Sequence, residues 1–286
     1  MKQFFPSMSL LFSLATLLPA QTMPLEPPHL SGNSVTGAFE GWFKNPDGTY
    51  NLLFGYYNRN QRQEVDVPIG PNNRIEPGGP DQGQPTHLLP GRNWGVFAVK
   101  VPADFGTKKL IWTLVANGQT TTVPGYLHTD YELAPFSEAS VGNTPPAVGV
   151  DENGTRVQGP LSVTLGERTV KVDTPLRLDL WAEDDAKWVS NSGARPKVMP
   201  SPVVLHVKKY RGPGEITFGK EKPVIESVVR KDAKASAFNG KASTTAIFSE
   251  PGEYILHVDA TDYSGEGGSG FQCCWTNAQM KVIVTK

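Results

Sequence analysis

The sequence predicts an all-β protein built from two antiparallel β-sandwiches in tandem, and three observations lead to that prediction. Glycine and proline, at 29 and 25 of 286 residues, are as abundant as expected for a chain with many turns. Beyond Ala20, no window shows the i, i+3, i+4, i+7 apolar spacing of an amphipathic helix. Instead, stretches of alternating apolar and polar residues are separated by strong turn sequences, which is typical of antiparallel sheets.

The N-terminal segment, from Met1 to Ala20, has the pattern of a secretory signal peptide. Lys2 supplies a positive start, residues 10–18 are mostly apolar, and Ala20 offers a small residue for cleavage. The apolar run is short and interrupted by polar residues, which argues against a membrane anchor, and no later segment is long and apolar enough to span a bilayer. We therefore expect an exported protein, periplasmic or extracellular, in which residues 21–32 form an extended leader.

The first predicted domain covers residues 33–136. Residues 35–43 alternate with period 2, residues 45–48 (NPDG) predict a hairpin turn, and residues 50–57 return as the partner strand. The Asn-Gly pair at residues 117–118 predicts a second hairpin with a two-residue turn. Strands at this spacing favour an antiparallel sandwich.

The segment from residue 68 to residue 92 fits neither a central strand nor a helix. Glycine or proline occupies ten of the positions from Gly70 to Gly91. Long segments without regular structure inside a compact domain are often functional, although a structural cross-over with incidental polar groups is the alternative. The candidate ligand-binding residues of this region are Asn72, Asn73, Arg74, Glu76, Asp81, His87, Arg92 and Trp94.

A Pro-containing linker is predicted at residues 137–146, and a second domain at residues 147–286. Alternating stretches predict its strands, and they include residues 176–181, 203–207, 255–260 and 280–285. Within it, residues 244–262 predict a strand, a Pro-Gly turn and a second strand. Tyr254 follows that turn at the position where a tyrosine-corner hydroxyl bonds to the backbone upstream.

Four sequence pieces in a fixed order resemble the PKD-type and related immunoglobulin-like modules of exported bacterial proteins. They are NTPP at 143–146, YRGPGEITF at 210–218, the strand pair at 244–262 and the final VIV strand at 282–284. The resemblance covers the second half of the chain. It implies an immunoglobulin-like sandwich that serves as a spacer, binding or adhesion module without catalytic activity. The first domain resembles no family that its motifs identify.

The two cysteines are neighbours, Cys273 and Cys274. In an oxidising compartment they can form a vicinal disulfide, remain as two protected thiols, or make one intermolecular bridge. They cannot staple two sheets together, because a bond between neighbours closes only a small strained ring, and in a strand the two side chains would also point to opposite faces. A metal site at this pair is not expected, since no second ligand pair occurs at zinc spacing.

The sequence contains no GxSxG elbow, HExxH motif, P-loop or dinucleotide-binding glycine fingerprint. His206 and His257 lie in alternating strands, where a packed or surface role is expected. His87 is the one histidine in the 68–92 segment. A hydrolase with His87 and either Asp81 or Glu76 as acid–base groups is therefore the alternative function.

Acidic residues recur at several loops and strand ends of the second domain. Oxygen ligands from separate loops at one end of a sandwich can hold Ca²⁺, although no EF-hand spacing occurs. The weak Ca²⁺ candidates are Asp151, Asp184, Asp185 and Asp262. No other cofactor is expected.

The formal net charge of −1 argues against nucleic acid as a partner. Residues 195–241, however, contain eleven lysines and arginines against four acidic residues. This excess predicts either a solvated edge that discourages aggregation or a patch for anionic glycans or a membrane surface. The leading prediction is a non-catalytic binding, adhesion or envelope-architecture protein with a protein or carbohydrate partner at the cell envelope. The hydrolase is one alternative, and a structural subunit of an envelope complex is the other.

Overall fold

The computed structural model describes residues 29–188, 195–229, 237–265 and 273–286. In these ranges the protein is all-β, with eighteen strands, a single-turn 3₁₀ helix at Thr129–Tyr131 and no α-helix. None of the described residues belongs to a helix long and apolar enough to cross a membrane. The predicted signal peptide, most of the predicted leader and positions 230–236 of the basic stretch lie outside the described residues.

The first eight strands form three antiparallel groups, β1-β2-β6, β4-β7-β8 and β3-β5. Both predicted hairpins are present, and Asn117 and Gly118 have the positive φ values of 49° and 74° that such a two-residue turn requires. The strands are β1 (Val35–Lys44), β2 (Tyr50–Asn58), β3 (Val65–Asp66), β4 (Asn73–Glu76), β5 (His87–Leu88), β6 (Gly91–Val101), β7 (Lys109–Ala116) and β8 (Gln119–Tyr126).

The other ten strands form two sheets. One has the order β10-β9-β12-β16-β14, with β15 also paired to β16, and the other has the order β11-β18-β17-β13. The strands are β9 (Ala147–Gly149), β10 (Val157–Gln158), β11 (Val163–Lys171), β12 (Leu176–Asp184), β13 (Val204–Arg211), β14 (Ile216–Phe218), β15 (Glu226–Ser227), β16 (Phe238–Phe248), β17 (Gly252–Thr261) and β18 (Trp275–Thr285).

One strand pair departs from the antiparallel prediction. β11 runs parallel to β18, whereas every other pair among the named strands is antiparallel. The two strands are far apart in sequence, so no tight hairpin turn fixes their relative direction. The all-β class and the antiparallel sheets are therefore confirmed, while the arrangement as two immunoglobulin-like sandwiches stays a prediction.

The buried apolar side chains form two clusters. One gathers residues between Val35 and Ala116, and the other gathers residues between Val148 and Val284. Tyr210 is the exception, because it belongs to β13 yet packs in the first cluster with only 2% of its surface exposed. The two halves of the chain therefore share a buried aromatic ring. The predicted domain boundaries themselves remain predictions.

The Tyr254 corner has the hydrogen bonds that the sequence suggested. The Tyr254 hydroxyl donates to the backbone oxygen of Glu250 at 2.9 Å and accepts from the backbone N–H of Gly214 at 3.0 Å. Gly212 lies against the same ring, and a Cβ there would sit 2.0 Å from Tyr254 Cδ1. The absence of a side chain at position 212 thus lets the chain pass this tyrosine.

Candidate functional site

The 68–92 segment is held in place by one buried amide side chain. Asn73 is fully buried, and its Nδ2 donates to the backbone oxygens of Val67 and Pro85 at 2.9 and 2.8 Å. Its Oδ1 accepts from Trp112 Nε1 at 3.0 Å. Proline-rich backbone has few N–H donors, so a side chain must satisfy these carbonyl groups. Asn73 therefore organises the segment from inside.

β13 packs against this segment through a set of directed hydrogen bonds. Arg211 makes a bidentate ion pair with Asp81 at 2.9 and 2.8 Å, and its Nε donates to the backbone oxygen of Gln84 at 2.9 Å. The Thr86 N–H donates to the Tyr210 backbone oxygen at 3.2 Å. We call this region the seam. It comprises residues 64–95 on one side and, on the other, β13 with the adjacent ends of β17 and β18.

Trp275 closes another part of the seam. Its Nε1 lies 3.4 Å from the backbone oxygen of Gly95, and the Asn277 amide donates to the same oxygen. Gly95 has φ +47°, and a Cβ there would lie 2.4 Å from the Trp275 ring. Only glycine lets the Trp275 ring approach this backbone so closely.

His87 lies at the centre of the seam with 3% of its side chain exposed. Its Nδ1 is 2.9 Å from Asp66 Oδ1, and its Nε2 is 3.1 Å from Glu64 Oε2. Lys209 Nζ approaches the same Asp66 oxygen at 3.4 Å. Both ring nitrogens of His87 are therefore engaged by carboxylates.

The ionisation of this group follows from its contacts. Burial by itself lowers the pKa of His87, but the hydrogen bonds with Asp66 and Glu64 outweigh burial and leave the pKa raised. The hydrogen bond with His87 lowers the pKa of Glu64. Burial opposes ionisation of Asp66, yet its hydrogen bond with His87 gives a net lowering of its pKa. The two carboxylates thus favour the protonated imidazole more than water does around a free histidine.

Three of the eight predicted ligand-binding residues, His87, Arg92 and Trp94, line one cavity in the seam. The Arg92 guanidinium lies 3.9 Å above the Trp94 ring and pairs with Glu40 at 2.5 Å. The cavity measures about 40 Å³, which is room for one or two water molecules and too little for a sugar ring.

His257 lines the same cavity from β17. Its Nε2 lies 3.2 Å from Asn277 Oδ1, and burial lowers the pKa of His257 to about 4. It is therefore neutral at physiological pH, and its pKa is shifted in the opposite direction from that of His87.

The other predicted residues of the segment lie away from this cavity. Arg74 and Glu76 pair with each other at 2.9 Å on the surface, and Asn72 accepts a backbone hydrogen bond from Val115 at 2.8 Å. Asp81 is used in the ion pair with Arg211. A ligand-binding role for these eight residues stays a prediction. Sequence reasoning missed Glu64, Asp66 and Lys209, although residues 64 and 66 share one face of an extended chain.

A second group of charges lies where β12 and β17 end. Three of the four Ca²⁺ candidates, Asp184, Asp185 and Asp262, come together there, while Asp151 pairs with Arg168 at 2.8 Å. Burial, followed by the charges of Asp262 and Asp185, raises the pKa of Asp184 to about 8, even though a backbone N–H bonds to it. Burial also raises the pKa of Asp262. We call Asp184, Asp185 and Asp262 the acidic cluster.

Asn143, from the predicted linker, completes the acidic cluster. Its Nδ2 donates to Asp262 Oδ2 at 2.6 Å. Two buried oxygens, Asn143 Oδ1 and Asp184 Oδ2, have no hydrogen-bond partner among the described residues. No three His, Cys, Asp or Glu side chains in the described ranges are arranged to hold a metal ion by themselves.

Cys273 and Cys274 border the acidic cluster and are joined as a vicinal disulfide. Both residues are buried, and their sulfurs lie 3.8 and 3.4 Å from the backbone oxygen of Asn143. The backbone N–H of Cys274 donates to Ser264 Oγ at 2.9 Å. The disulfide thus contacts Asn143 directly and is linked to Asp262 through Ser264, whose hydroxyl bonds to Asp262.

A groove of about 680 Å³ lies over β16 and its neighbouring strands. Arg177, Lys220 and Lys241 line it with one carboxylate, Glu226, and the hydroxyls of β16. A smaller depression of about 260 Å³ shares Arg177 and Lys241 and includes Trp181. Lys220 and Lys241 belong to the basic stretch noted in the sequence.

Comparison with known proteins adds little to this geometry. No protein-family model and no curated protein matches the chain. Among solved structures, a protein of unknown function from Porphyromonas gingivalis W83 aligns at 9% identity over 88% of this chain and 100% of its own, with a TM-score of 0.22. A TM-score this low supports no statement on fold or function, so the PKD-type resemblance remains a resemblance.

Proposed function

We propose that this protein is an exported, non-catalytic binding protein of the cell envelope, and that its ligand is an anionic glycan lying along the groove over β16. The observation that carries the proposal is the composition of that groove. Its lining offers three cationic side chains and one carboxylate in an open concavity of about 680 Å³, and the neighbouring Asp179 pairs with Arg177 and Lys241 at 3.1 and 3.7 Å. A concave surface with an excess of positive charge attracts anionic ligands.

The polar side chains of the groove suit a sugar polymer. Ser243 and Thr245 are exposed on one strand, whereas the Thr244 hydroxyl is bonded to the Lys220 backbone. Arg177 lies at the edge of the groove with its guanidinium paired to Asp179 at 3.1 Å. Lys241 Nζ lies 4.7 Å from the centre of the Trp181 ring and 3.7 Å from Asp179 Oδ2, so its charge is held at the wall of the groove. These groups provide attraction and hydrogen bonding along an extended ligand.

The contacts of the candidate catalytic residues do not match those of a hydrolase site. The described lining of the groove contains neither a histidine nor a cysteine. In the seam, His87 contacts Glu64 and Asp66 rather than the Asp81 or Glu76 of the hydrolase hypothesis. A general base needs a ring nitrogen within reach of substrate, and both nitrogens of His87 are engaged. These contacts favour the binding function over the hydrolase alternative.

The test is a binding titration with the mature protein. We expect polygalacturonate and heparin chains to bind and neutral dextran not to bind, with affinity falling as NaCl rises from about 50 to about 500 mM. The Lys220→Gln, Lys241→Gln double variant should bind at least about tenfold more weakly, a loss of about 1.4 kcal/mol. Absence of binding to either anionic polymer would refute the proposal.

A matched control separates the groove from overall charge. Lys44→Gln, Lys108→Gln makes the same charge change at two exposed positions of the first half. It should leave the affinity within about twofold, since distant exposed charges are screened. An equal loss in both double variants would show diffuse attraction and remove the groove from the proposal. The structural-subunit alternative instead predicts self-association, which light scattering of the same samples detects.

A further inference from the structure

We propose that Asn143 and the acidic cluster form a Ca²⁺ site that joins three segments of the second half. This site is independent of the glycan groove and of the function proposed for it. The inference starts from the two buried side-chain oxygens that lack partners among the described residues, Asn143 Oδ1 and Asp184 Oδ2. Asn143 is 0% exposed and Asp184 is 4% exposed, so water does not satisfy them freely.

The site brings together residues that are distant in sequence. Asn143 precedes β9, Asp184 ends β12, and Asp262 follows β17. The 2.6 Å contact between Asn143 and Asp262 joins the first segment to the third. Thr144 joins the first segment to the second, because its N–H and hydroxyl both donate to Asp185 Oδ2, at 3.2 and 3.1 Å.

Unpartnered buried acceptors are unfavourable unless something else binds them. A buried polar group that loses its partner costs about 1–3 kcal/mol, and a buried carboxylate costs more. Most such groups in folded proteins are therefore satisfied by protein, water or an ion. A cation between Asn143 Oδ1 and Asp184 Oδ2 would give both oxygens a ligand at once.

The charge of the site matches a divalent cation. The acidic cluster supplies three carboxylates, and Lys187 pairs with it, 3.4 Å from Asp185 Oδ2. Lys187 Nζ also donates to the backbone oxygen of Gly142 at 2.6 Å, which places it at the edge. Asp262 Oδ2 accepts one hydrogen bond, from Asn143, and keeps a second lone pair for a cation, whereas Asp185 Oδ2 already accepts two from Thr144.

The chemistry of the donors favours calcium. The candidate ligands are carboxylate and amide oxygens, with no imidazole among them, and the neighbouring sulfurs are bonded to each other. Zinc prefers nitrogen and sulfur ligands, and magnesium demands a regular octahedron with several waters. Ca²⁺ accepts irregular sets of oxygen ligands, including amides and water, and does not require three converging carboxylates.

The experiment uses the mature protein stripped of metal with a chelator. Calorimetric titration with CaCl₂ should show heat with one-to-one stoichiometry, and the thermal midpoint should rise by several degrees at saturating Ca²⁺. MgCl₂ should bind at least about tenfold more weakly. The absence of heat together with an unchanged midpoint would overturn the proposal.

Variants locate the site. Asp184→Asn keeps the shape of the side chain and should weaken Ca²⁺ binding at least about a hundredfold. Asp151→Asn is the matched control, because Asp151 pairs with Arg168 away from the cluster, and it should bind Ca²⁺ like the parent. If Asp184→Asn does not fold, Asp185→Asn replaces it, with at least about a tenfold loss expected. Unchanged affinity in the folded cluster variant, or an equal loss in Asp151→Asn, contradicts the assignment.

Discussion

The seam and the acidic cluster both bury charge in an all-β protein, but they satisfy it differently. In the seam, His87 has a carboxylate on each ring nitrogen and Asp81 has the full fork of Arg211. In the acidic cluster, Lys187 pairs with Asp185, and two buried oxygens, Asn143 Oδ1 and Asp184 Oδ2, lack partners among the described residues. A contact inside a protein requires each buried charge to have a partner. A ligand site, in contrast, contains acceptor atoms that have no protein partner when the ligand is absent.

The contrast also separates two residue types that look equally functional in a sequence. A histidine in a glycine- and proline-rich loop suggests chemistry, yet His87 serves the contact between the halves. An asparagine in a linker suggests nothing, yet Asn143 donates to Asp262 of the acidic cluster and keeps a buried oxygen without a partner among the described residues. Satisfaction of hydrogen bonds, rather than residue type, distinguishes the two regions.

The largest expected effect comes from removing the ring that anchors the seam. Tyr210→Ala should lower the free energy of unfolding by about 3–5 kcal/mol, because a buried aromatic side chain leaves a cavity in the first cluster. The hydrogen bond from its hydroxyl to the Gly83 oxygen is lost as well. Urea denaturation measures the change, and Tyr57→Ala, at an exposed tyrosine of β2, should cost about 1 kcal/mol or less.

This variant also tests whether the two regions are independent. If Tyr210→Ala is folded, its response to Ca²⁺ should match that of the parent, because the acidic cluster makes no contact with that ring among the hydrogen bonds and ring contacts of the described residues. Loss of the Ca²⁺ response at low temperature would mean that the seam organises the cluster. A cost below about 1 kcal/mol would mean that Tyr210 is not the anchor.

The strands and turns could be predicted because their signals are local. The NPDG and NG turns, the alternating strands and the Tyr254 corner depend on residues within a few positions of each other. The parallel pairing of β11 with β18 could not be predicted, since no short connection constrains it. Local patterns determine the elements but leave open how distant strands are paired.

The candidate sites were predictable only in part for the same reason. Asp184, Asp185 and Asp262 were identified because acidic residues at strand ends of a sandwich gather at one end. The partners that decide their role, such as Asn143, come from over a hundred positions away from Asp262. Likewise, Asp81 could be recognised as a polar loop residue, but its partner Arg211 lies 130 positions along the chain. Without the fold, a satisfied charge cannot be told from an unsatisfied one.

The second prediction uses pH to separate the two histidines of the seam. The pKa of His257 is lowered to about 4 by burial, with the charged groups Asp259 and Lys208 nearby. The unfolded chain takes up a proton at about pH 6.5, so stability is present above that value and is lost as pH falls towards 4. The free energy of unfolding falls by on the order of 3 kcal/mol over this pH range. His257→Gln should remove that part of the acid sensitivity.

His87 changes stability in the opposite direction. Its raised pKa means that its contribution is fully present below about pH 6.5 and is lost as pH rises through the folded pKa. Its partners Glu64 and Asp66 have lowered pKa values, so their contributions are lost only as pH falls through those values. Urea unfolding at about pH 7 and about pH 4.5 measures both effects. His128→Gln, at an exposed imidazole, is the control, and an unchanged pH slope in His257→Gln would contradict the assignment.

The smallest effect compares two arginines that contact the same polar segment. Arg211→Ala removes a bidentate pair with Asp81 and a hydrogen bond to Gln84 that connect the two halves, at a cost of about 1–3 kcal/mol. Arg74→Ala removes a surface pair with Glu76 inside one half, and we expect about 0.5 kcal/mol or less.

Double-mutant cycles measure the coupling energy of each pair. One cycle combines Arg211→Ala with Asp81→Ala, the other combines Arg74→Ala with Glu76→Ala, and urea denaturation gives the free energy of unfolding of each variant. Coupling between Arg211 and Asp81 should exceed that between Arg74 and Glu76, because the former pair is more buried, bidentate and supported by a backbone carbonyl. Equal coupling in the two pairs would mean that the ion pair across the seam behaves like any surface pair. The packing of Tyr210 and Trp275 would then hold the halves together without help from charge. In that case the full pairing of the seam would reflect the avoidance of unsatisfied groups, not a source of stability.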